Sequence, residues 1–210
     1  MKYLSFDFTN FRGIKHTSID LRSAGDNARV FTLVGLNESG KTTLLEAIDH
    51  LRPGDVESDE VSPKQLVGWQ QPDPHELIPI SQRANFNGKV IVSARVELSD
   101  DDVIHIKKQV RSTTGFRLAD VNREFTVAVQ YNFKDSSVIG RNSVFSNVVG
   151  KGYKSTGNVL RTVSHGAERQ VWLAMVDSVR KRLPPIWYFP NFLFQFPREI
   201  VLTPSADEDG

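Results

Sequence analysis

Alternation of apolar and polar residues predicts several strands along the first two thirds of the chain. Residues 2–8 place Leu4, Phe6 and Phe8 on one face, and a second short strand is predicted over residues 16–21 after a turn. Residues 88–98 and 125–133 alternate in the same way. Residues 142–158 are rich in serine, asparagine and glycine, so we expect a loop with weak strand character there.

Helical spacing predicts a helix in the last quarter of the chain. Over residues 166–183 the apolar stripe consists of Trp172, Met175, Val176, Val179 and Leu183. Its basic last turn is interpreted as a complement to the helix C-terminus rather than as a DNA-binding patch. A short helix is predicted after Ser99, its natural cap, and the acidic run at residues 100–102 is interpreted as a helix start rather than a metal site.

One stretch joins a strand pattern to a helix pattern. Residues 30–51 read VFTLVGLNESGKTTLLEAIDHL, and the apolar run over residues 30–34 predicts a buried strand. A helix is predicted from Lys41 onward and is expected to end at the Arg52-Pro53-Gly54 sequence. The apolar residues at helical spacing are Leu44, Leu45, Ile48 and Leu51.

The loop between this strand and this helix fits the pattern G-x-x-x-x-G-K-[ST], with Gly35, Gly40, Lys41 and Thr42 at the fixed positions. The glycines allow a tight turn, and loop amides together with a helix N-terminus can face phosphate oxygens. Lys41 is predicted to reach the β- and γ-phosphates of ATP, and the Thr42 hydroxyl to bind Mg²⁺. The alternative is a strand-to-helix turn without a ligand.

The N-F-R-G sequence ending at Gly13, followed by L-V-G-L-N-E-S-G-K-T-T-L-L-E-A-I, resembles the SMC and RecF class of ABC-type ATPases, and most of all the OLD-like bacterial defence ATPases. The resemblance implies an α/β fold, a P-loop NTPase lobe over residues 1–202 with a mixed sheet, an antiparallel β-layer within residues 88–133, and few helices. The resemblance also implies that Arg12 contacts a phosphate of the nucleotide. The loop positions carried over as nucleotide contacts are Asn37, Glu38, Ser39, Thr42 and Thr43.

The acidic strand, the signature and the Mg²⁺-sensing glutamine of such an ATPase match this sequence less well than the phosphate loop does. No apolar strand leads to an Asp-Glu pair, and residues 172–177 keep helical spacing. Residues 164–170 resemble the L-S-G-G-x-R-Q signature, but His165 replaces a glycine, so a capped helix start is favoured. The glutamine that senses Mg²⁺ is left open between Gln82, Gln130 and Gln195. We therefore expect these elements downstream of Gly210 and very weak hydrolysis by this chain alone.

The same resemblance implies the partners. ATP would close two lobes face to face, as a homodimer or with the C-terminal half of the same ATPase, and the closed form would act on DNA or drive a nuclease-type effector in DNA repair or anti-phage defence. A nucleotide-switched interaction module without hydrolysis is the first alternative. A transporter-type ABC subunit is the second, based on residues 164–170.

The composition changes little in the predicted fold and function. The chain has 210 residues, a formal net charge of +1 and no cysteine, which excludes disulfides and thiolate metal sites. The N-terminus lacks a signal-peptide pattern and no run approaches the ~20 apolar residues of a membrane helix, so a cytoplasmic protein is expected. Residues 55–82 are expected to form a surface excursion or lid, and residues 203–210 a disordered acidic tail.

Overall fold

A computed structural model describes residues 1–22, 30–53 and 73–188. Two short 3₁₀ helices, Pro74–Leu77 and Ile80–Gln82, precede the third strand. The α-helices are α1 (Lys41–Asp49), α2 (Asp100–Thr114) and α3 (Arg169–Arg182). The strands are β1 (Lys2–Phe11), β2 (Ile14–Asp20), β3 (Gly88–Glu97), β4 (Arg117–Val121), β5 (Glu124–Lys134), β6 (Ser137–Ser146), β7 (Gly150–Tyr153) and β8 (Arg161–Val163).

A five-stranded antiparallel sheet in the order β2-β1-β3-β5-β6 forms the main layer. Strands β3 and β5 pair over their whole length, from Gly88 opposite Phe133 to Glu97 opposite Glu124. Because side chains alternate along a strand, most apolar residues of β3 and β5 lie on one buried face, whereas Ile91 and Ala128 lie on the other face and are only partly buried. The strands predicted over residues 2–8, 16–21, 88–98 and 125–133 are confirmed, as is the predicted fold class, α/β with an antiparallel layer and few helices.

Helices α2 and α3 complete the core on the buried face of the sheet. Ile106 and Val110 of α2 and Met175, Val176 and Val179 of α3 are buried in one apolar cluster with the strands. The predicted helix near the end of the chain is therefore confirmed. The helix after Ser99 is also confirmed, although its 15 residues make it longer than expected.

Asp102 joins the start of α2 to the end of α3. Its carboxylate accepts hydrogen bonds from the Ser99 backbone N–H and hydroxyl, while the Ser99 oxygen accepts one from the Asp102 N–H, which completes a capping box. The same carboxylate pairs with Nε of Arg182 at 2.8 Å and with the Met1 ammonium group at 2.5 Å. An aspartate that is only 1% exposed therefore holds three parts of the chain together.

A second sheet has three strands in the order β4-β7-β8, and its middle strand, β7, lies where a loop with weak strand character was predicted. The loop predicted over residues 142–158 has more strand than expected, since both the end of β6 and all of β7 lie there. Glycine and serine weaken strand propensity, but pairing with a neighbouring strand overrides it. Position 152 of β7 requires glycine, because a Cβ there would clash with the Arg117 carbonyl oxygen and lie 2.6 Å from the Phe116 ring.

Gly152→Ala is expected to destabilise the protein by about 1–3 kcal/mol, as overpacking at a close strand contact does. Gly157→Ala is the matched control, because a Cβ at Gly157 would meet no atom within 4 Å. Urea unfolding of both variants measures the difference. Equal midpoints for the two variants would contradict the close contact between β4 and β7.

The strand predicted over residues 30–34 is not formed, so this prediction is wrong. Val30, Val34 and Leu36 are 81%, 90% and 85% exposed, and residues 30–36 have no strand pairing. The strand before a phosphate loop is normally buried between parallel neighbours, and its apolar run reflects that burial. Every strand pairing within the described ranges is antiparallel and engages other segments, so this run has no strand partner among the described residues.

The surface excursion predicted over residues 55–82 is described only from Asp73 onward. There, Leu77 and Ile78 are fully buried, so the end of this segment contributes to the core, contrary to the prediction. The acidic tail at residues 203–210 and Gln195 lie outside the described residues. None of the helices that the structure describes is long and apolar enough to cross a membrane.

Candidate nucleotide-binding site

The loop at residues 35–40 folds into a tight turn that leads directly into α1. The Ser39 N–H donates to the Leu36 carbonyl oxygen at 3.3 Å, and the first α1 hydrogen bond runs from the Leu44 N–H to Gly40 at 3.0 Å. Gly40 has φ +89°, a left-handed conformation that favours glycine. A Cβ on Gly35 would lie 2.7 Å from the Ser39 hydroxyl, so both glycines shape the turn.

Lys41 folds back over this turn. Its ammonium group donates to the carbonyl oxygens of Gly35 at 2.8 Å and Leu36 at 2.6 Å, and lies 3.4 Å from the Ser39 hydroxyl. The positive charge therefore lies at the loop, beside the N-terminus of α1. An anion at this position would meet the Lys41 charge, the N-terminal end of the helix dipole and the backbone N–H groups of the turn.

Arg12 connects the turn between β1 and β2 to the phosphate-loop helix. Its guanidinium pairs with Glu46 of α1 and lies 3.9 Å from the Glu76 carboxylate, while its carbon Cζ is 5.7 Å from the Phe11 ring centre. Its backbone N–H donates to the Leu77 carbonyl oxygen at 2.8 Å. These contacts hold the half-buried arginine beside α1, within the same region as the loop.

A cleft of about 660 Å³ opens between these elements. Its first wall is the loop and first helical turn, with residues 38–40 and Thr43, and its second is the turn at residues 12–14. The third wall carries Glu76, Ile80 and Arg83. A concave site that combines a Gly-rich turn at a helix N-terminus with several cations is suited to binding a polyphosphate.

A family model for the AAA ATPase domain matches residues 1–189 of the 210. The chain belongs to this family. It is therefore an AAA-type P-loop domain, and Gly40 of its phosphate-loop pattern lines the cleft just described. No curated protein matches the chain.

The residues predicted to contact nucleotide are distributed unevenly around the cleft of this AAA ATPase domain. Arg12, Glu38, Ser39, Gly40 and Thr43 line it. Gly35 and Lys41 are joined to the lining residues through the turn, whereas Asn37 and Thr42 are not lining residues and Thr42 is exposed at the start of α1.

The Mg²⁺ prediction depends on the Thr42 hydroxyl, which supplies one ligand. No group of three or more histidine, aspartate or glutamate side chains in the described part of the chain is arranged to hold a metal ion. Mg²⁺ prefers six oxygen ligands and retains several waters. The Thr42 hydroxyl would supply one of these ligands, so its role as a Mg²⁺ ligand stays a prediction.

The signature-like segment forms a tight turn before α3. Ser164 and Ala167 exchange backbone hydrogen bonds at 2.9 and 3.1 Å, and Glu168 adopts a left-handed conformation with φ 52°. No side chain caps α3. Instead, Glu168 pairs with Arg161 at 3.1 Å and with Lys154 at 3.5 Å, which ties the helix start to the small sheet.

Two of the three candidates for the Mg²⁺-sensing glutamine, Gln82 and Gln130, lie within the described residues. Gln82 ends a 3₁₀ helix, and Gln130 lies on β5 with its amide donating to Asn132 at 2.8 Å; neither lines the cleft.

Sequence analysis missed three residues around the cleft: Glu46, Glu76 and Arg83. Each reaches the site through contacts between segments that are distant in the chain. A Glu on the helix after a phosphate loop and an Arg after a Pro-rich segment carry no pattern of their own, so sequence periodicity gives no signal for them.

Proposed function

We propose that this AAA ATPase domain binds Mg-ATP between the phosphate loop and the turn at Arg12, and that the nucleotide closes it against a second lobe of the SMC, RecF and OLD kind. The observation that carries the proposal is the fold of the loop itself, in which Gly35, Gly40 and Lys41 form one turn at the start of α1. The closed form would then act on DNA or drive an attached effector, with hydrolysis completed by elements that the partner lobe supplies.

The exposed apolar segment before the loop supports the need for a second polypeptide surface. Val30, Val34 and Leu36 present their side chains to solvent directly before the phosphate loop. Burying such side chains is favourable by about 1.5–3 kcal/mol each, so a strand or surface that covers them would be stabilised. Closure on this segment would also fix the backbone that leads into the nucleotide site.

A basic cleft supports the DNA-directed part of the proposal. It has a volume of about 570 Å³ between α2 and β4, and its cationic lining residues are Lys107, Lys108, Arg111 and Arg117. No carboxylate of the described residues lies within 4 Å of these four cations. Unneutralised cations concentrated on one surface are the usual contacts to nucleic-acid phosphates.

Sedimentation velocity of the whole chain, with and without Mg-ATP and a short DNA duplex, tests this function. We expect Mg-ATP to increase the sedimentation coefficient of the wild type but not of Lys41→Ala. A Lys108→Glu/Arg111→Glu variant should retain the ATP-dependent association and lose DNA binding by at least about tenfold at low salt. An unchanged coefficient with saturating Mg-ATP would refute closure, and equal DNA binding by the charge-reversed variant would refute the basic cleft.

A further inference from the structure

The third wall of the cleft carries an arginine whose hydrogen-bonding capacity is incompletely used. Arg83 lines the same cleft as residues 38–40 of the phosphate loop, and its Nε is buried without a hydrogen-bond partner among the described residues. Its one hydrogen bond within the described residues is a 3.5 Å contact from a terminal nitrogen to the Glu76 carbonyl oxygen. A buried N–H without a partner is unfavourable, which makes its position beside a cleft a reason to look for an acceptor.

Arg83 differs in this respect from the other two cations at the cleft. Arg12 pairs with Glu46 and approaches Glu76, and the Lys41 ammonium is occupied by loop carbonyl oxygens. No carboxylate among the described residues lies within 4 Å of Arg83. Arg83 therefore keeps an unneutralised positive charge at the wall of a site that is shaped for an anion.

The segment that carries Arg83 is anchored at both ends. Before it, the fully buried Leu77 and Ile78 pack into the core, and the 3₁₀ turn closes through a 2.8 Å hydrogen bond from Gln82 to Pro79. After it, Phe86 is buried and its N–H donates to the Ser136 hydroxyl at 2.9 Å. The backbone that carries Arg83 is therefore held in place, so little backbone conformational entropy is lost when this residue binds a ligand.

We infer that Arg83 is a phosphate-binding residue, which contacts the polyphosphate of the nucleotide from a wall of the cleft other than the phosphate loop. This inference rests on the proposed ATP binding and adds a residue that the phosphate-loop pattern does not contain. The guanidinium can donate several hydrogen bonds to phosphate oxygens in a fork geometry. The ligand would lie between Arg83 on one wall and residues 38–40 on the other.

Fluorescence titration of the whole chain with labelled ATP, ADP and AMP tests the inference. Arg83→Gln is expected to weaken ATP binding about tenfold and AMP binding much less, because a phosphate contact affects ligands with more phosphate groups most. Arg83→Lys, which keeps the charge without the fork, should recover part of the loss. The matched control is Arg95→Gln, since Arg95 is exposed on β3 and its nearest carboxylate is Glu124 at 3.9 Å.

A measurement on the wild-type protein tests the contact without depending on whether the variants fold correctly. Dicarbonyl labelling of arginines, followed by mass spectrometry, should show that ATP lowers the modification of Arg83 and leaves that of Arg95 unchanged. A purely structural Arg83 would lower the melting temperature but leave the preference for ATP over AMP intact, which overturns the inference. If Lys41→Ala loses ATP while Arg83→Gln binds it normally, only this inference fails; if the wild type binds no ATP, the proposed function fails with it.

Discussion

Replacing Lys41 by alanine is expected to weaken ATP binding by about 100-fold or more. The Lys41 ammonium lies beside the turn at residues 35–40 and the N-terminus of α1, where polyphosphate would meet both charges. Charge-assisted hydrogen bonds contribute about 1.5–3 kcal/mol each, and the loss of two of them corresponds to this factor. Isothermal titration of the wild type and the variant with Mg-ATP measures the effect.

The control for this experiment is Lys151→Ala, which removes an exposed lysine of the same charge from β7. Its ATP affinity should equal that of the wild type. Because Lys41 also donates to the Gly35 and Leu36 carbonyl oxygens, the variant's melting temperature is recorded alongside. Undiminished affinity in a folded Lys41→Ala protein would contradict the assignment of the loop as the nucleotide site.

Asp102→Ala is expected to lower the free energy of unfolding by about 3 kcal/mol. The substitution removes the α2 capping box and leaves the buried Met1 ammonium group and the partly exposed Arg182 without their carboxylate. Removing one partner of a buried ion pair typically costs about 3–5 kcal/mol, and the exposure of Arg182 favours the lower end. Asp101→Ala, an exposed neighbour on the same helical turn, should change stability by less than about 0.5 kcal/mol.

Because of the same carboxylate, the free energy of unfolding depends on pH in the acidic range. Burial raises the pKa of Asp102, but hydrogen bonds from the Met1 ammonium, Ser99 and Arg182 outweigh this effect and hold the pKa below its usual range. A lowered folded-state pKa contributes stability above the unfolded pKa of about 3.9, and that contribution is lost as the pH falls toward the folded value. The stability difference between the wild type and Asp102→Asn should therefore be constant from pH 5 to 7 and shrink below pH 4.

Sequence patterns predict those parts of the fold that are set by local chemistry. Alternation identifies β3 and β5 because one face of each is buried, and Ser99 identifies the start of α2 because a side-chain oxygen can cap it there. The phosphate-loop pattern likewise predicts the tight turn, since Gly40 needs a positive φ and Gly35 approaches Ser39 closely. In each case the residue type and its structural role lie within a few positions of one another.

Features that depend on distant partners escape such patterns. The apolar run at residues 30–34 predicts a strand, yet a strand needs a neighbour, and the described strands pair elsewhere. Strand β6 forms in a region of low strand propensity because β5 provides that neighbour. The Arg12–Glu46 pair joins positions 34 residues apart, and Arg83 lines the same cleft as residues 38–40, so no local signal marks either arginine as part of the site.

The open segment before the phosphate loop has a consequence for how tightly the site can hold its ligand. Residues 30–36 lack ladder hydrogen bonds and bury little apolar surface, so their amides should exchange with solvent through local opening, far faster than those of β3 or β5. Restricting this backbone on ATP binding then costs conformational entropy, which lowers the observed affinity for ATP. A covering surface that has already restricted it would raise ATP affinity without touching the nucleotide, which is a route to positive cooperativity between the partner and the ligand.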